Sequence, residues 1–142
     1  MSKIKQRLSD KVKRHVHRIF TSNLFPKYPD ENKELINENR WGKRLAEWIQ
    51  KKLPDKGIQT EDILAEDWGW VVNINLEDFI AFIGCGVSDE SEDKFIIFIE
   101  VNQPFFKKLF RKKDPTPSLE KIKESLSRVL SEEDGIKNIR WD

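Results

Sequence analysis

Three apolar runs within residues 67–101 constrain the fold of this chain more than any other feature. In residues 70–76 apolar and polar side chains alternate, as they do in a strand with one buried face. Residues 79–85 and 95–101 are apolar at nearly every position, which is typical of central strands that are covered on both faces. The runs therefore predict three neighbouring strands at the centre of a sheet.

Other segments predict the elements that complete the domain. Residues 31–53 predict a helix that Pro54 ends, and residues 58–64 predict an edge strand. Thr116 followed by Pro117 predicts the start of a second helix, and residues 136–141 predict a last strand. The expected fold is α+β: a single domain with a mostly antiparallel sheet of four to five strands packed by helices.

The N-terminal part of the chain has a different pattern. Apolar residues recur every three or four positions in residues 1–20, which predicts an amphipathic basic helix. Residues 21–30 contain two prolines and predict a linker, so the α+β domain is expected to span residues 31–142. The candidate residues for binding an anionic surface lie on this helix: Lys3, Arg7, Lys11, Arg14 and Arg18.

Charge is unevenly distributed along the 142 residues. Residues 1–20 carry seven Lys or Arg against one Asp, whereas residues 54–100 carry twelve Asp or Glu against two Lys. The basic helix would suit a membrane surface, a nucleic acid or a partner protein, or it would pack on the sheet of its own domain. The single cysteine is consistent with a reducing cytoplasm, where we expect the protein to reside.

No pattern in the sequence argues for an enzyme. Cys85 lies among acidic residues far from either histidine, so a buried structural role is favoured over a nucleophile. Adjacent carboxylates on a strand point to opposite faces, so we expect no metal site and no cofactor. The basic and aromatic stretch at residues 105–113 lacks a nucleic-acid motif, and its aromatic residues are expected to be buried under the following helix.

The most distinctive local motif is Asp67-Trp68-Gly69-Trp70. If a strand starts there, the two tryptophans share a face and form an aromatic platform that carboxylates border. The alternative is that the tryptophans close one end of the core. The predicted partner-binding residues are Glu61, Asp62, Glu66, Asp67, Trp68 and Trp70.

Several short motifs resemble a family of small bacterial proteins of uncharacterised activity. They are the EDWGW of residues 66–70, the IGCG of residues 83–86, Pro104 with Leu109-Phe110, and the GI and IRW of residues 135–141. The resemblance covers residues 41–141 and leaves the N-terminal segment outside. It implies a bacterial single-domain α+β protein and assigns no activity and no catalytic residue.

These observations predict a non-catalytic protein-binding module whose acidic face binds a basic partner. A toxin-neutralising immunity-type protein is one version, by analogy with other small binding proteins. The alternative is a peripheral nucleic-acid- or membrane-associated protein that acts through residues 1–20. The sequence also leaves open a homodimer through an uncovered face of the sheet.

Overall fold

A computed structural model describes residues 14–102 and 114–141 of the chain. Two α-helices and six strands form one α+β domain. They are β1 (Arg14–Ser22), α1 (Lys43–Lys52), β2 (Thr60–Glu66), β3 (Gly69–Asn75), β4 (Ile80–Val87), β5 (Lys94–Asn102), α2 (Thr116–Ser131) and β6 (Ile136–Trp141). Single turns of 3₁₀ helix lie at Glu31–Lys33 and at Leu53–Lys56.

The strands form one open antiparallel sheet in the order β2-β3-β4-β5-β1-β6. The sheet has six strands and not the predicted four to five, because β1 was not predicted from the sequence. Strand β1 lies between β5 and β6 and joins the last strand to the rest of the sheet. The α+β class, the antiparallel pairing and the single domain are as predicted.

The helices pack on one face of the sheet and form the main core with it. Strands β3, β4 and β5 each contribute alternate apolar residues to this face, such as the fully buried Val72, Ile83 and Ile97. The helices face them with Ile49 of α1 and Ile122 of α2, which are also fully buried. Alternate residues of the same strands turn to the opposite face, which contains the candidate site described below.

The predicted helix over residues 1–20 is wrong where the structure can test it. Residues 14–20 belong to β1, which pairs antiparallel with β5 from Arg14 opposite Glu100 to Thr21 opposite Lys94. The β-branched and aromatic residues there favour a strand once a partner strand is available, and this pairing outweighs the helical spacing of the apolar residues. Residues 1–13 lie outside the described part.

Two further predictions need correction. The predicted linker at residues 21–30 is packed into the domain, since Phe25 is 2% exposed and meets Phe95 edge to face with ring centroids 5.9 Å apart. The helix predicted for residues 31–53 begins only at Lys43, after an irregular segment that contains Asn37 and Asn39. Such residues favour turns over helix interiors because their side chains bond to the nearby backbone.

Candidate functional site

The β2–β3 hairpin forms one edge of the sheet and contains all six of the predicted partner-binding residues. Its two-residue turn is Asp67-Trp68, and Glu66 pairs with Gly69 on either side of the turn. Within residues 14–102 and 114–141, β2 pairs only with β3, so its other side is an edge of the sheet. The hairpin therefore carries its acidic residues at the periphery of the domain.

Three carboxylates lie in β2, and a fourth, that of Asp67, lies in the turn that follows it. Glu61 and Asp62 are exposed, while Glu66 and Asp67 are half-buried. The Asn73 amide donates a hydrogen bond of 3.0 Å to Asp62 Oδ1, so these two side chains share the face opposite the helices. Because side chains alternate along a strand, residues 64 and 66 lie on that face too. By this alternation Asp62 and Glu66 share the face opposite the helices, whereas Glu61 lies within the register shift between Thr60 and Ile63 and Asp67 lies in the turn.

Trp68 packs on the sheet face opposite the helices. Its ring centroid lies 4.7 Å from that of Phe98 and 6.5 Å from that of Phe82. Gly84 makes room for this cluster, because a Cβ at that position would lie 2.3 Å from the Phe98 ring. Trp68 is half-buried, so part of its indole is accessible at the turn of the hairpin.

Trp70 is not part of this surface, and its prediction as a partner-binding residue is wrong. It is 4% exposed and faces the helices, and its indole Nε1 donates to Glu31 Oε2 at 3.0 Å. The strand starts at Gly69, which places Trp68 in the turn and Trp70 on the core face. The two tryptophans therefore do not share a face, and Trp70 has the core role that the sequence left as the alternative.

Glu31 is a buried carboxylate whose role the sequence analysis missed. Its Oε1 accepts a hydrogen bond from the backbone N–H of Tyr28 at 3.2 Å. Its Oε2 accepts from the backbone N–H groups of Gly42 and Lys43 at 3.0 and 3.1 Å, and from the Trp70 indole. These bonds occupy the first N–H groups of α1, which no intrahelical carbonyl can satisfy. Glu31 thus fixes the start of α1 to β3.

Three glycines, Gly42, Gly69 and Gly86, lie around Cys85 and Trp68 and allow the backbone segments there to approach closely. A Cβ on Gly69, whose φ is +148°, would lie 2.3 Å from the Cys85 carbonyl oxygen. A Cβ on Gly86 would lie 2.8 Å from the Trp68 carbonyl oxygen, and one on Gly42 would lie 3.1 Å from that of Cys85. The glycines at residues 42, 69 and 86 therefore have a structural role, since each allows two backbone segments to approach closely.

Cys85 lies at the centre of this contact and is fully buried. Burial raises the pKa of its thiol, because the low-polarity surroundings disfavour the thiolate. The thiolate is the reactive form, so the surroundings of Cys85 are those of a core residue. Across the described ranges, no group of three or more His, Cys, Asp or Glu side chains is arranged to hold a metal ion.

Arg18 does not contribute to a basic surface, contrary to its prediction. It is 2% exposed, and its Nη2 donates to Ser127 Oγ of α2 at 2.6 Å. Burial lowers its pKa to about 10. The backbone of Arg14 is in β1, and the other predicted anion-binding residues, Lys3, Arg7 and Lys11, lie outside the described residues.

A second concave region, which the sequence analysis did not predict, lies beyond the end of β4. It is a groove of about 810 Å³ between the loop that contains Trp41 and the acidic loop at residues 88–92. Asp89, which lines the groove, pairs with Arg40 at 2.6 Å. Both loops are irregular, so no strand or helix pattern in the sequence predicts that they lie next to each other.

The comparisons with known proteins add no relative. No family model matches the chain, and neither the curated proteins nor the solved structures contain a match to it. Among the residues that the structure describes, no helix has both the length and the apolar character that crossing a bilayer requires. The function is therefore argued from the hairpin alone.

Proposed function

We propose that this protein is a non-catalytic binding module that captures a basic partner protein through the acidic β2–β3 hairpin. The observation that carries the proposal is the grouping of Glu61, Asp62, Glu66 and Asp67 on one sheet edge, beside the half-buried Trp68. Carboxylates around an aromatic anchor are a common means of recognising a cationic surface.

Exposed apolar side chains on the same sheet face support the proposal. Leu64 is 50% exposed on β2, and Ile80 is 58% exposed on β4. Single exposed apolar residues are ordinary, but these two flank Phe82 and share its face by the strand register. Burial of such residues would stabilise a complex, while the acidic residues around them would exclude acidic partners.

A toxin-neutralising immunity-type protein in the bacterial cytoplasm is the version that we favour. Such a protein needs a small stable domain, a surface complementary to one partner and no chemistry of its own. The alternative role for the basic N-terminal segment has less support, because Arg18 is buried beneath α2 and is not available to an anionic surface.

Affinity capture from the native lysate tests the proposal. The bait is the full chain, either wild type or with Glu61→Lys and Asp62→Lys, two exposed residues of the hairpin. The matched control carries Glu120→Lys and Glu124→Lys, which change the net charge equally on the exposed side of α2.

We expect wild type and the α2 control to retain one stoichiometric basic protein. The hairpin variant should bind it about 10- to 100-fold more weakly, because attractive charges become repulsive at the interface. Equal retention by all three baits would show that the hairpin is not the binding surface. Retention of nucleic acid or lipid in place of a protein would contradict the proposed class of partner.

A further inference from the structure

We infer that the partner binds by adding a strand to the edge of β2 that faces away from β3, which no other strand of residues 14–102 and 114–141 occupies. The added strand is an extended segment of the partner in which alternate positions are basic, apolar and basic. This inference rests on the proposed function and specifies how the partner is recognised. It follows from the direction of the backbone groups of β2 and from the pattern of side chains on its outer face.

The backbone pairing of the hairpin determines which groups face outward. In a hairpin with a two-residue turn, the residues that flank the turn exchange backbone hydrogen bonds. Here the turn is Asp67-Trp68, so this bonded pair is Glu66 and Gly69. Alternation then makes Leu64 and Val71 the next bonded pair. The N–H and C=O groups of residues 63 and 65 consequently point away from β3.

These outward groups form a short template for another strand. Ile63 and Ala65 lie in the regular part of β2, beyond the register shift that separates Thr60 from Ile63. On the other side of that shift the edge is occupied, because Gln50 of α1 donates to the Glu61 carbonyl at 2.7 Å. A strand that adds to the edge would therefore bond to residues 63 and 65.

The side chains of β2 specify what such a strand would contain. Asp62, Leu64 and Glu66 follow one another on the face opposite the helices, so they present acid, apolar and acid at intervals of two residues. Residues directly opposite on neighbouring strands have Cβ atoms about 5 Å apart. The complementary strand would place Lys or Arg opposite Asp62 and Glu66, and Val, Ile or Leu opposite Leu64.

Charge argues against a second copy of this chain as the added strand. If β2 paired antiparallel with itself about Leu64, Asp62 of one copy would face Glu66 of the other, and like charges directly opposite are destabilising. The other edge, β6, is irregular: Asn138 has a φ of +57°, and the register shifts between its pairs with Ile19 and Thr21. Such irregularities prevent an edge from pairing with another chain. The occupant is therefore a basic segment of a different protein.

Two peptides of identical composition test this inference. In acetyl-TKTVTKT-amide both lysines share the face of the valine, whereas in acetyl-TTKVKTT-amide they lie on the opposite face. Each is titrated at millimolar concentration into the isotope-labelled full chain while amide hydrogen exchange is measured. We expect the first peptide to bind about tenfold more tightly and to slow the exchange of the Ile63 and Ala65 amides.

Substitution of Ala65 tests the backbone contact itself. Ala65→Pro removes an N–H that faces away from β3, which an edge strand tolerates, and should abolish the preference for the first peptide. Ala65→Val keeps the N–H and should retain the preference. If the proline variant fails to fold, the exchange measurement on the wild-type chain still tests the inference.

Two results would overturn strand addition. One is salt-sensitive binding of both peptides with equal affinity and no protection of the two amides, which would leave the acidic hairpin as a binding surface. The other is no binding of either peptide at millimolar concentration. Failure of the proposed function is recognised separately, by a hairpin variant with Glu61→Lys and Asp62→Lys that captures the lysate partner as well as wild type does.

Discussion

Replacement of Glu31 by Gln should destabilise the domain far more than its single-atom change suggests. The carboxylate accepts four N–H groups, three of them at Oε2. A glutamine that keeps its oxygen at the Oε2 position turns its NH₂ group toward the Tyr28 N–H, so that two donors face each other. The variant thus loses one acceptor in a site where water cannot replace it, since Glu31 is fully buried.

The magnitude follows from these bonds. Hydrogen bonds to a charged acceptor contribute about 1.5–3 kcal/mol and neutral ones about 1 kcal/mol, so three weakened bonds cost about 2 kcal/mol after allowing for non-additivity. One buried N–H without an acceptor adds about 1–3 kcal/mol. We expect the free energy of unfolding to fall by about 3–5 kcal/mol, a large part of what a domain of this size possesses.

Urea unfolding followed by tryptophan fluorescence measures this change. The matched control is Glu34→Gln, which removes the exposed ion pair with Lys43 and should cost at most about 1 kcal/mol. A second check is a double-mutant cycle with Trp70→Phe, which should show coupling because the two side chains share a hydrogen bond. If Glu31→Gln were no more destabilising than Glu34→Gln, Glu31 would not be the anchor of α1 and β3.

Three further predictions follow from the same region and from one surface ion pair. Gly69→Ala should lower the free energy of unfolding by about 2–4 kcal/mol, because its Cβ would meet the Cys85 carbonyl. Gly57→Ala, also at positive φ but with only the Lys121 side chain in ordinary van der Waals contact, should cost about 1 kcal/mol, and equal losses would contradict the close approach at Gly69. The Cys85 thiol should react with Ellman's reagent at pH 8 only as fast as the domain unfolds, and rapid reaction in the folded state would refute its burial. The hydrogen bond from Lys56 lowers the pKa of Glu132, so Lys56→Met should raise that pKa in an NMR titration. The small stabilisation from this pair is present above the ordinary pKa of a glutamate and is lost as the pH falls through the lowered one.

Much of the sheet was predictable because its strands carry strong local signals. The alternating segment at residues 70–76 corresponds to β3. The apolar runs at residues 79–85 and 95–101 correspond to β4 and β5. Thr116-Pro117 marks the start of α2 as expected. In these segments the local preference and the tertiary contacts agree, which is why the pattern sufficed.

Strand β1 shows where such reasoning fails. The spacing of Val16 and Ile19 fits a helix stripe, and only the pairing with β5 and β6 makes the segment a strand. That pairing joins residues that lie far apart in the chain, so no local window contains it. Arg18 illustrates the consequence for function, since a cation counted as exposed is buried beneath α2.

The geometry of the hairpin was not predictable from its charges. Glu61, Asp62, Glu66 and Asp67 all lie in the β2–β3 hairpin, but its register and turn decide which of them share a face. The separation of Trp68 from Trp70 depends on the strand beginning at Gly69, a boundary that composition does not define. The position of β2 at the edge of the described sheet depends on the order of its strands, which the sequence pattern does not contain.

The most direct test of the binding account is a chemical-shift map of the isotope-labelled full chain with the captured partner. The account predicts that the largest changes fall on residues 60–69, with slowed exchange at Ile63 and Ala65. Changes concentrated in the groove beside the loop of residues 88–92, or in residues 1–20, would contradict it and move the binding surface there.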